Sequence, residues 1–179
     1  MNVSNRKVHK FIGLVVSVQL LLWTISGIFF SFNKIDQIRG ENYLKSVEQI
    51  TPQKKSRISF DEAKELVIEK TYLKPISVEE ITEEKRGSEF RGRNLPLYKL
   101  SSLDSSDKEV NVYVDPSLGK IVAIRTFEWR LWDLMWGLHI MDWRDRDDIN
   151  NLFLKIFSIL ALVSSITGII LFFRPKSKA

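Results

Sequence analysis

The 179-residue chain contains no cysteine. That excludes disulfides, thiolate metal sites and iron–sulfur ligation by this polypeptide. Histidine is nearly as scarce, and His9 and His139 are the only two, so any imidazole chemistry must use those positions. Acidic residues are missing from both ends, because all 22 lie between residues 36 and 148. No charge of either sign interrupts residues 11–32, and Lys155 is the one charge within residues 152–173. The chain has no P-loop, dinucleotide fingerprint, flavin motif or EF-hand spacing. It also lacks a diagnostic motif for a Ser/His/Asp or Cys/His hydrolytic site. The central segment has no basic patch interleaved with aromatics, so nucleic acid is not an expected partner.

What is present is bunched at the two ends. Residues 11–32 and 152–173 are apolar runs of 22 residues, and 22 helical residues rise about 33 Å, enough to cross a hydrocarbon core. Lys155 lies near the start of its run and can extend its head toward the interface. The basic residues outside the central segment are Arg6, Lys7, Lys10, Lys155, Arg174, Lys176 and Lys178. Basic flanks stay cytoplasmic. Both termini are therefore expected inside, with the middle exported. Ser31, Phe32, Asn33 and Lys34 do not form a small-x-small cleavage site, and the apolar run exceeds a signal core, so residues 11–32 read as an uncleaved anchor. In that anchor Gln19 is the one strongly polar side chain, expected to bond to a partner helix or a bound group. Gly13 with Ser17, Ala161 with Ser165, and Ser164 with Gly168 are small pairs four apart, common background in membrane helices and sometimes points of close approach.

The middle reads as a small α+β unit. Residues 33–57 form a polar connector with room for one helical turn. Ser59 followed three residues later by Glu62 is a capping box. Ala63, Leu66, Val67 and Ile68 then give an apolar stripe on a helix of about three turns, closed before Pro75. Strands are expected at 77–85, 95–103, 108–114 and 120–125. The third alternates, with Val110, Val112 and Val114 on one side and Glu109, Asn111 and Tyr113 on the other. The stretch DPSLG at 115–119 is the turn into the last strand, and GSEFRGRN at 87–94 is a basic, glycine-containing loop.

Residues 127–143 hold four of the five tryptophans and His139. In a helix, Trp129, Trp132, Trp136, His139 and Trp143 share one face through steps of three and four. Tryptophan favours the membrane–water boundary. The expectation is an interfacial helix leading through a polar turn into the second span. An aromatic belt alone accounts for Trp132, Trp136 and Trp143. The acidic cluster Asp142, Asp145, Asp147 and Asp148, interleaved with Arg144 and Arg146, reads as a solvated turn, with a docking spot for ferric or basic ligands as the weaker alternative.

The helix start ISFDEAKEL, the strand LYKL and the hairpin VNVYVDPSLGKIV resemble the PepSY domain. The start RKVHKFIGLVV, the segment GLHIMDW and the end ITGIILFFRP resemble the PepSY-associated transmembrane family, which includes iron-regulated membrane proteins and ferric-siderophore reductases. The likeness covers nearly the whole chain. Longer members carry more transmembrane helices, so this chain resembles a minimal two-helix form. The resemblance implies a haem-binding, electron-transferring protein of the cytoplasmic membrane. His9 and His139 match the family's histidine motifs and would be the axial ligands of b-type haem. It also implies a ferric-siderophore or peptide ligand, the PepSY unit being thought of as a regulatory or inhibitory module.

A spanning helix separates the two histidines by on the order of 30 Å, so both cannot ligate one iron in one chain. If haem is present, either each iron has one ligand from this chain or two copies share, the second making a homodimer or a larger membrane complex. The expected fold is a membrane α+β protein. Its segments are a cytoplasmic tail (1–10), a first span (11–32), a PepSY-like domain (33–126), a Trp-rich helix and turn (127–151), a second span (152–173) and a basic tail (174–179). The rival functions are a non-enzymatic membrane-anchored PepSY module that binds or regulates a partner, and a cofactor-free accessory subunit of a redox complex.

Overall fold

The computed structural model describes residues 3–45 and 57–173, with side chains at 9–45 and 57–170. The expected tail at 174–179, residues 46–56 of the connector with Pro52, the side chains of Arg6 and Lys7, and the RP ending lie outside the described residues. The elements are α1 (Val3–Phe32), α2 (Ile35–Ile38), a 3₁₀ turn (Glu41–Tyr43), α3 (Phe60–Lys70), β1 (Lys74–Ile81), β2 (Leu97–Leu103), β3 (Glu109–Asp115), β4 (Lys120–Arg125), α4 (Phe127–His139) and α5 (Leu152–Phe173). Contacts divide the chain into two units. One is Phe30–Leu134, and the other joins Met1–Phe29 to Met135–Ala179.

In the central unit the capping box forms as the sequence dictates. Ser59 Oγ accepts from the Glu62 N–H at 3.2 Å, and Glu62 Oε2 accepts from the Ser59 N–H at 2.7 Å. Both donors would otherwise be orphans of the first helical turn. At the other end of α3, the Thr71 hydroxyl donates to the Val67 carbonyl at 2.7 Å and accepts from the Leu73 N–H at 3.1 Å, which turns the chain toward β1. β1 begins three residues earlier than its apolar pattern suggests and includes Pro75. The sheet order β1-β2-β3-β4 makes β1 an edge strand, and an edge strand tolerates a residue that cannot donate to the ladder.

All neighbouring strands pair antiparallel. Val110, Val112 and Val114 face one way, as the alternation predicts. With Leu100 they pack against Ala63 and Val67 of α3 to form the core. On the opposite face Leu97, Tyr113 and Ala123 form a smaller cluster with Phe90 from the loop before β2. That loop is fastened by Glu89. Its carboxylate accepts from Arg130 of α4, from Asn111 Nδ2 at 2.8 Å and from the Tyr113 hydroxyl at 3.1 Å. Arg91, two residues on, is ion-paired with Asp133, whose side chain is buried.

In the other unit, the apolar stretches of α1 and α5 leave their large side chains uncovered. Phe11 is 68% exposed and Leu162 61%. Only 17% and 6% of their most apolar windows are buried. A helix apolar around most of its surface and uncovered by protein suits lipid rather than a soluble core.

Candidate functional site

His9, Gly13, Val16, Gln19, Trp23 and Ser26 are spaced by three and four along α1, so they form one stripe. Val16, Gln19 and Ser26 on it are buried, while Phe11, Leu14, Val18 and Leu21 on the other faces are exposed. The stripe receives the end of α4. Trp23 Nε1–H donates to the His139 main-chain carbonyl at 2.7 Å, and Ser26 Oγ lies 2.8 Å from His139 Nδ1. The His139 ring stacks on Trp136 one turn earlier, with 6.4 Å between centroids and 12° between planes. Trp23 approaches from the side at 6.4 Å and 49°.

Ser26 Oγ is also 2.8 Å from the Leu22 carbonyl and 3.1 Å from that of Trp23, both acceptors. When its single proton goes to one of them, the oxygen accepts from His139 Nδ1–H; when it goes to the ring, Nδ1 is the acceptor. Burial pushes the imidazole below its ordinary value, which keeps it neutral at pH 7.

The far end of the stripe repeats the arrangement. Thr167 Oγ1 on α5 is 2.8 Å from the Val163 carbonyl and 3.0 Å from that of Ser164. It stands 3.4 Å from His9 Nδ1. Here too a hydroxyl that meets carbonyls of its own helix lies beside Nδ1. His9 and Ser26 are 17 residues apart on one helix, which at 1.5 Å per residue places them about 25 Å apart. The two histidines are therefore not brought together within the chain.

Trp129, Trp132, Trp136 and His139 lie on α4 with the expected spacing, but Trp143 leaves that face, because α4 stops at His139. Met141 takes a left-handed conformation (φ 58°). The Asp142 N–H bonds to the Gly137 carbonyl at 3.0 Å and the Met141 N–H to that of Leu138 at 3.4 Å, closing the helix. Gly137 is needed for this: a Cβ there would lie 3.0 Å from the Asp142 carbonyl oxygen and 2.8 Å from Arg146 Cγ. Trp143 falls in the turn beyond, against Phe153. Trp129, in the central unit, is buried with the Arg125 guanidinium over its ring at 4.2 Å.

The acidic cluster also has a definite role. Burial by itself raises the Asp142 carboxyl, but N–H groups of Asp147, Asp148, Asp145 and Arg144 outweigh it and hold it below the usual carboxylate range. Both Asp142 oxygens accept from backbone N–H groups. No group of three or more His, Asp or Glu residues suited to a metal ion occurs among the described residues. Finally, Gln19 is buried as expected, but its Nε2 has no hydrogen-bond partner among the described residues. An added Cβ at Gly13 or Gly168 would meet nothing within 4 Å, so these glycines serve no close approach here.

Two lipid-suited helices bracketing a helix-plus-sheet unit define a membrane α+β protein. The model of the PepSY-associated TM region family matches residues 6–179, and the chain belongs to that family. No curated protein and no solved structure matches it.

Proposed function

We propose that the protein binds b-type haem through His9 and His139 and carries electrons across the membrane in iron or ferric-siderophore reduction. The observation that supports this reading is the shared setting of the two imidazoles. Each has Nδ1 beside a hydroxyl that also meets carbonyls of its own helix, and such a contact orients the ring. A partner on the second ring nitrogen fixes the tautomer and orientation of a metal-ligating histidine. With about 25 Å along α1 between the two positions, one chain offers each iron one ligand. A second copy related by a twofold axis would supply the other.

Bound there, haem supplies a one-electron couple whose potential the axial ligands and surrounding side chains tune. The chain's own part is to aim the imidazoles, and at His139 to surround the ring with Trp23 and Trp136. The test is an oxidised-minus-reduced absorbance spectrum of detergent-purified protein expressed with haem supplied. Sharp b-type bands are expected, and a featureless difference would end the proposal.

The same reading places both basic tails in the cytoplasm and the central unit beyond the outer face of the cytoplasmic membrane. Protease added to intact spheroplasts is expected to digest residues 33–126 and spare the tails. Clipping of the tails alone would reverse the orientation.

A further inference from the structure

We infer that the open edge of the sheet, at β4, binds an extended acidic peptide segment as an added strand. This goes beyond the haem reading and uses none of its residues. The central unit carries a cleft of about 510 Å³ lined by Arg39, Glu41, Arg93, Trp129 and the consecutive run 121–125. Successive side chains of a strand point to opposite faces. Five consecutive residues can share one cleft only if it runs along the strand's edge. β4 is the last strand in the sheet order, so no further strand of the sheet pairs with its outer edge; Gly40 packs on Ile124, and Arg125 donates to the Ile124 carbonyl. Such an edge is a template for strand addition, in which the ladder gives affinity and side-chain pockets give selectivity.

The charge around the edge selects the occupant. Three arginines and one glutamate line the cleft. Arg39 and Arg93 are exposed and enter no ion pair among the described residues. Arg125 is buried, and its hydrogen bonds go to the carbonyl oxygens of Glu89 and Ile124 at 2.9 and 3.1 Å rather than to a carboxylate. Burial, and then the neighbouring Arg93, push this guanidinium down to about 10, so it remains charged at pH 7. Glu89, whose main-chain carbonyl Arg125 holds, has its carboxylate committed to Arg130, Asn111 and Tyr113, which leaves Glu41 as the acid of the cleft against three arginines. A peptide carboxylate would supply the missing counter-charge through the planar fork that guanidinium offers.

A second copy is a poor occupant. β4 carries Lys120 and Arg125 and no acid, so antiparallel β4–β4 pairing would set like charges together. A small free anion would use the arginines but not the length of the edge or the apolar wall of Leu44, Ile121, Ile124 and Trp129.

The experiment is fluorescence anisotropy with the full-length protein in detergent. The probe is a dye-labelled hexapeptide of alternating glutamate and valine. Its controls are the lysine-for-glutamate peptide, a version N-methylated at alternate amides along one edge, a version N-methylated along the other, and free glutarate. The acidic peptide is expected to bind at least about tenfold tighter than the lysine peptide and to weaken about tenfold in the double variant Arg39→Gln, Arg93→Gln. Both sites are exposed, so an unchanged thermal melt is expected to show that the variant is folded. Methylation along one edge only should abolish binding. Equal binding of acidic and basic peptides would overturn the proposal. So would indifference to both methylations, displacement by glutarate at peptide concentrations, or a dimer through this edge that the peptide cannot enter. Failure here leaves the haem spectrum unaffected, because no lining residue belongs to the unit that holds His9 and His139.

Discussion

Replacing His139 with alanine is expected to halve the haem that purifies with the protein, from two groups per dimer to one, and to stop electron transfer from one face of the membrane to the other. The argument is geometric. His139 is anchored twice to α1, through Trp23 to its main chain and through Ser26 to its ring, while His9 stands about 25 Å away along the same helix. Neither site can borrow the other's imidazole. His9→Ala should produce the complementary half-loss, and the double variant should hold none. Ser26→Ala tests the positioning role separately. It keeps the ligand but removes the hydroxyl that orients its ring, and it is expected to weaken haem retention at that site by on the order of tenfold, with a shifted midpoint potential. Haem content and potentiometric titration of the four variants check both statements. Loss of all haem from His139→Ala alone would show that the two histidines do not serve separate sites.

Glu89→Ala is expected to destabilise the central unit by about 3 kcal/mol, because it leaves partly buried guanidinium and polar groups without their acceptor. The carboxylate binds the loop before β2 to β3 through Asn111 and Tyr113, and to α4 through Arg130. Its removal therefore loosens three elements at once. Glu89→Gln retains the shape but not the charge and should cost less. Denaturant melts followed by tryptophan fluorescence give both values, Trp129 being packed on Arg125 and Arg91 beside this network.

The pH dependence has a definite sign. Burial alone raises the Glu89 carboxyl, but hydrogen bonds from Arg130 and Asn111, the Arg130 charge and the Tyr113 hydroxyl outweigh it and hold it below its ordinary value of 4.5. A depressed carboxyl contributes its full stability above the unfolded value and loses it as pH falls through the folded one. The wild-type melt should therefore be insensitive to Glu89 from neutrality down to about 4.5 and decline below it, and the glutamine variant should lack that component.

Much of the central unit was legible in the residues. Ser59 and Glu62 announce a helix start whatever surrounds them, since a capping box is satisfied within four residues. Val110, Val112 and Val114 announce a buried face, since a strand has a period of two. The partners of the histidines were not legible. Ser26 and Thr167 lie 113 and 158 residues from the rings they meet, and hydroxyls turned onto their own helices are ordinary in apolar spans. The true end of α4 was hidden as well, because the left-handed position there is held by Met141 and not by the glycine that usually marks it. That is why Trp143 read as part of a helix it follows.

The arginines of the cleft were harder still to foresee. Arg39 sits in the connector, Arg93 in the loop before β2 and Arg125 at the end of β4, and only the fold places them around one edge. GSEFRGRN was readable as a basic loop, but its acid, Glu89, proves to be the residue that fastens it.

The central claim is that each chain offers two separate imidazoles, one toward each face of the membrane, and that two copies complete two haem sites. Pyridine haemochrome quantitation against protein mass in a monodisperse detergent preparation tests it most directly. One haem b per chain is the expected result. A dimer holding a single haem, or protein free of haem when haem is abundant, would contradict it.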